Sequence, residues 1–168
     1  MTHMYKRVRF MGVIMDKTLF KIPILTLIGG IIYRIANFVI IFLMVKGSNE
    51  WTLEMGTTVF YIDLVISIII FGVIGIILSK TCDRKTIFRS STLLVIYSII
   101  LLILEQVTQY FGVYNIGINL WLYLPVEIFT IITSALARIS TAESINWTYA
   151  IPALFAPYLF SIFGKTKR

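Results

Sequence analysis

The stretch 22–45, IPILTLIGGIIYRIANFVIIFLMV, is apolar throughout apart from Arg34 near its middle and the amide of Asn37. As a helix it rises about 36 Å at ~1.5 Å per residue, enough to cross a hydrocarbon core of ~30 Å with some tilt. An arginine at the centre of such a span costs roughly 2.5–3.5 kcal/mol on insertion scales, and it is tolerated where it faces protein and finds partners. Asp63, Glu105 and Glu127, one in each of the next three apolar stretches, are the candidate partners. The chain is expected to be an integral membrane protein with a buried polar layer.

Composition agrees. Of the 168 residues 58% are hydrophobic and 14% charged, whereas a soluble domain carries about 25% charge. The net charge of +7 sits at the ends of apolar runs rather than along one face. That is the positive-inside pattern, so the expected partner is the lipid bilayer and not nucleic acid. Cys82 is the sole cysteine and His3 the sole histidine. An intramolecular disulfide, a CxxC redox pair, bis-histidine haem and histidine-based zinc are thereby excluded, and no cofactor or metal site is expected.

The expected architecture is an all-α, polytopic helix bundle forming one membrane domain over 1–168. Residues 1–21 form a basic cytoplasmic tail, with 8–15 either lying on the membrane surface or loosely ordered. Asp16 or Thr18 caps the first helix, and Pro23 occupies its first turn. The spans are expected at about 22–45, 59–79, 91–110 and 118–137, with a fifth apolar helix at 147–164. Loop 46–57 carries Lys46 against Glu50 and Glu54 and reads as external. Loop 80–90, with Lys80, Arg84, Lys85 and Arg89, reads as internal. Ser90, Ser91 or Thr92 is expected to cap the third span, and Gly72 and Gly75 to admit close helix approach. Arg138 closes the fourth span on the internal side. Pro125 is expected to kink that span and free the Trp121 carbonyl.

For the fifth stretch two rules conflict. Its length favours a crossing that puts Lys165, Lys167 and Arg168 outside. The charge rule favours an internal end, which makes the stretch re-entrant or interfacial. Both put the amino terminus in the cytoplasm of a multi-pass cell-membrane protein. Asn146–Trp147–Thr148 matches a glycosylation triplet, which is common by chance and abuts the membrane.

Counted from the external end of each span, Arg34 and Glu127 lie about 11 and 9 residues in, and Asp63 and Glu105 about 4 or 5. The first pair is expected near the midplane and the second roughly 6–8 Å below the outer surface. Gly30, Arg34 and Asn37 share a helical face, as do Asp63 with Ser67, and Tyr123 with Glu127, Thr130, Ser134 and Arg138. The candidate polar layer is therefore Arg34, Asn37, Asp63, Glu105, Tyr123 and Glu127. One reading is a structural ion pair between Arg34 and Glu127 or another acid, with the shallower acids hydrated. The other starts from three acids against one base, a surplus that is costly in low dielectric unless one carboxyl carries a proton or binds a cation. Glu127 is the expected carrier, with Arg34 as its partner.

No serine–histidine pair, HExxH, prenyl-protease glutamate pair or alcohol-transferase signature is present, so no enzyme and no catalytic residue is expected. The leading expectation is a non-enzymatic accessory, regulatory or immunity-type partner of another membrane protein. The alternative is a small transporter or channel-like protein, working as a homo-oligomer, that moves a proton, a cation or a small cationic solute.

Overall fold

The computed structural model describes residues 17–46, 50–140 and 147–165. Residues 1–16, with His3, the 8–15 segment and Asp16, lie outside the described residues, as do 47–49, 141–146 and 166–168. The described chain is all-helical, and its one strand-like contact is an isolated parallel bridge between Asp83 and Lys165.

A 3-10 turn, Lys17–Phe20, leads into α1, Lys21–Lys46. Then follow α2, Leu53–Thr81, and α3, Arg84–Tyr110. Each of the three is long and apolar enough to cross a membrane. A short helix α4, Ile116–Leu122, a 3-10 turn at Leu124–Val126 and α5, Glu127–Ile139, follow with a bend of 50°. Beyond the 3-10 turn Trp147–Tyr149 come α6, Ala150–Phe155, and a 3-10 run, Ala156–Phe163.

Local chemistry explains most boundaries. Thr52 accepts a hydrogen bond from the Met55 N–H, so α2 starts at Leu53. Residues 53–57, expected as part of loop 46–57, are thus helical. Asp83 precedes α3, its carboxylate accepting from the Thr86 hydroxyl. The third helix therefore starts a full turn and more before Ser90, and Ser90, Ser91 and Thr92 do not cap it. Gly112 ends α3 at φ 68, a left-handed conformation that favours glycine, with its N–H on the Gln109 carbonyl. Asn115 caps α4 by accepting from the Ile118 N–H at 3.1 Å.

Side-chain ties define two ends of the bundle. At the basic end, Lys21 donates to the Thr81 carbonyl. Ser90 accepts from the Ile22 N–H at 3.1 Å and donates to the Leu19 carbonyl at 2.6 Å. The Arg84 N–H donates to the Lys165 carbonyl at 3.2 Å. These contacts gather the start of α1, the end of α2, the start of α3 and the end of the chain's last helical run. At the far end lie Lys46, the start of α2 and the end of α3.

The last run descends alongside α3 to the basic end. Ser91 donates to the Pro157 carbonyl at 2.8 Å, Tyr158 donates to Thr92 at 3.1 Å and stacks on Phe88, and the Phe163 ring lies against Gly75. The core sits at this seam: Phe160 is fully buried, stacked on Phe71 with 4.4 Å between centroids and edge-on to Phe129. Of the two glycines expected to admit close approach, Gly75 does so and Gly72 faces open space.

The course of α4 and α5 departs from expectation. α5 begins beside Gly29 and Gly30 of α1, in the body of the bundle. It ends with Arg138 donating to the Gly56 carbonyl at 3.0 Å and resting 4.4 Å from the Phe60 ring centre. Gly56 and Phe60 lie in the first turns of α2, so Arg138 is at the far end and not at the basic end where the charge rule had put it. The chain leaves α3 at the far end, dips to the level of Gly30, and returns to the far end.

Candidate functional site

The dip is held by a close approach of backbones. A Cβ at Gly30 would fall on the carbonyl of Leu124, so only glycine lets the broken segment lie against α1 there. One turn further on, Arg34 reaches the same segment. It donates to the Leu120 carbonyl and forms an ion pair and hydrogen bond with the Glu127 carboxylate. Their side chains are 28% and 16% exposed.

Pro125 has no N–H, and the Val126 N–H turns to Tyr123 rather than to Leu122. The Leu122 carbonyl thus loses its ladder partner and is met by the Tyr97 hydroxyl at 2.6 Å, and the Leu120 carbonyl accepts from Arg34. Expectation had named the Trp121 carbonyl. Its neighbours on either side are the ones that side chains from α1 and α3 capture.

Asp63 joins this cluster from α2. Its Oδ2 accepts from Asn37 Nδ2 at 2.8 Å, and Tyr33 stands beside both groups. Asp63 and Glu127 are close enough to feel each other's charge. Asp63 lies about 15 Å along α2 from its start at Leu53. Its Oδ1 is buried without a hydrogen-bond partner, as are Ser67 Oγ one turn on and Asn119 Nδ2.

Glu105 stands apart from this cluster. It accepts from the Tyr123 hydroxyl and, at 3.4 Å, from Gln109 Nε2. The six candidate residues thus form three couples: Arg34 with Glu127, Asn37 with Asp63, and Tyr123 with Glu105. Asp63 and Glu105, expected at one depth, have separate partners. Tyr33, Tyr97 and Ser67 are further participants. Ser67 was visible as the helical neighbour of Asp63, while nothing in the sequence marked Tyr97 as a carbonyl's partner.

An apolar groove lies nearby. This groove, one of those beside the cluster, lies between α1 and α3, has a volume of ≈ 420 Å³, and is lined among others by Pro23, Leu27, Leu94, Tyr97 and Pro125. Among the described residues no group of three or more His, Cys, Asp or Glu is placed to hold a metal ion. Comparison with protein-family models, with curated proteins and with solved structures finds no significant match to this chain. The class defined by fold and composition is an all-helical protein with several helices long and apolar enough to span a membrane.

Proposed function

We propose that the protein is a small multi-pass membrane protein that moves a proton or small cation through the polar cluster of α1, α2 and α5. The observation that carries this reading is the broken α4–α5 element, whose interruption meets Arg34, with Glu127 beside it. Broken helices at mid-depth recur where transporters bind their substrates, because irregular backbone in a bilayer is tolerated only inside protein or beside a polar cavity. An ionisable residue at that depth is a functional candidate by default. This reading is non-enzymatic.

In this reading α1, α2, α3 and the 147–163 segment cross the bilayer, and α4–α5 is re-entrant from the far side. The last crossing is short in residues but not in reach. Its 3-10 portions rise ~2.0 Å per residue, giving about 31 Å in all. Lys21, Lys80, Arg84, Lys85, Arg89 and Lys165 then share one side with the basic amino-terminal stretch, leaving Lys46 and Arg138 on the other. By the positive-inside rule that side is the cytoplasm, with the amino terminus on it.

The test is flux. Purified protein in liposomes, loaded with a pH-sensitive dye and given proton, Na+ or K+ gradients, should pass at least one of these ions faster than protein-free vesicles. Glu127→Gln should bring the rate to background. No flux of any of these ions would reject the transport reading and favour the accessory-partner one, in which Glu127→Gln changes assembly instead.

A further inference from the structure

We infer that Asp63 Oδ1 and Ser67 Oγ form the seat of a small monovalent cation of the alkali type, closed on the α1 side by Asn37 and Tyr33. This rests on the transport reading and names the ion's position within it.

Both residues are deeply buried, Asp63 at 8% and Ser67 at 3% exposure. They are one turn apart on the same face of α2, where Cβ atoms lie about 5–6 Å apart. Asn37 occupies Asp63 Oδ2, which fixes the carboxylate plane and leaves Oδ1 and the Ser67 hydroxyl as two buried oxygens without a partner. Ser67 is unusual in this. Thr26, Ser98, Thr108 and Thr130 each return their hydroxyl to a carbonyl three or four residues back, the ordinary arrangement for such residues in apolar helices. Ser67 makes no such bond.

Charge specifies the guest. Arg34 is spent on Glu127 and the Leu120 carbonyl, so the charge of Asp63 is faced only by neutral donors, the Asn37 amide and the Tyr33 hydroxyl. A neutral water could bridge two oxygens but would leave a buried carboxylate uncompensated, which is costly in low dielectric. One carboxylate balances one positive charge. Carboxylate and hydroxyl oxygens are hard ligands, suited to a hard cation rather than to a soft metal.

The experiment titrates NaCl, KCl and LiCl into the purified full-length protein in choline chloride at constant ionic strength, reading the thermal unfolding midpoint. At least one alkali ion should raise the midpoint saturably. Asp63→Asn should abolish the rise, Ser67→Ala should weaken apparent affinity on the order of tenfold, and Glu54→Gln at the exposed start of α2 should leave it unchanged. A non-saturable rise, or an equal one in Ser67→Ala, overturns the site. Ser67→Ala deletes one atom, so it decides the matter even if Asp63→Asn does not fold. Flux measured on the same variants separates the two ideas. Asp63-dependent binding without flux keeps the site and rejects transport. Flux undiminished in Ser67→Ala and Asp63→Asn keeps transport and rejects the site.

Discussion

Arg34 of α1 and Glu127 of α5 form an ion pair across the body of the bundle, and the same guanidinium donates to the Leu120 carbonyl. Arg34 thereby holds both arms of the broken helix at once. A planar guanidinium with several donors can do this, whereas a lysine ammonium lacks the fixed fork geometry.

Removing one partner should cost more than removing both. Glu127→Gln leaves a positive charge in a poorly solvated place, and Arg34→Met leaves a negative one. Each should destabilise the protein by about 2–4 kcal/mol, less than a fully buried pair would show because both side chains retain some exposure. The double variant should recover part of that loss. Denaturant or steric-trap unfolding in detergent gives the three numbers, and additive losses would show that the pair is not coupled.

Gly30→Ala should be among the most damaging single-methyl insertions in the chain. The added Cβ meets backbone, the Leu124 carbonyl, which no rotamer change can move aside. A loss at the upper end of the roughly 1–3 kcal/mol typical of overpacking is expected. Gly72→Ala is the control: its Cβ enters open space, so helix propensity alone should make it neutral to stabilising by about 0.5–1 kcal/mol. Equal effects at the two positions would contradict the close crossing of α1 and the break.

What the sequence made legible follows from helical rise and apolar length. Counting residues put Arg34 and Glu127 at one level, and they pair. The start of α2 was misjudged because LEMGTT is neither strongly apolar nor periodic, while its real determinant is the Thr52 cap. The direction of α5 was hidden for a deeper reason. Pro125 announces an interruption, but whether the chain continues across or turns back depends on what catches the freed carbonyls. Those catches, Arg34, Tyr97 and the gap at Gly30, come from helices distant in sequence. A single charge such as Arg138 also carries little topological information once a π-face and a carbonyl, Phe60 and Gly56, can receive it.

Ser90 ties the start of α1 to α3 by working in both directions, accepting from the Ile22 N–H and donating to the Leu19 carbonyl. The Ile22 N–H belongs to the first turn of its helix, where donors lack intrahelical partners. Ser90→Ala should cost about 1–3 kcal/mol, since it leaves a buried donor unpaired. Thr92→Val, which gives up a helix-surface bond to the Phe88 carbonyl and the Tyr158 contact at 3.1 Å, should cost less. Thermal unfolding of the two variants side by side checks the order.

The proposed re-entrant course of α4–α5 makes a prediction about sidedness that a crossing helix does not share. Cys82 is the only cysteine and is buried, so a Cys82→Ala background is clean for labelling. Single cysteines are placed at Phe111 and Ile139, both exposed, and at Lys85 and Lys165 on the basic end. With an impermeant maleimide on intact cells, 111 and 139 should react together, and 85 and 165 only after the membrane is opened. A crossing α4–α5 would put 139 with 85, and the ensuing segment would then have to carry Lys165 to the outer side. The bond between the Arg84 N–H and the Lys165 carbonyl ties that residue to the start of α3. Position 139 is therefore the deciding one: its reaction with 111 keeps the re-entrant element, and its reaction with 85 removes it.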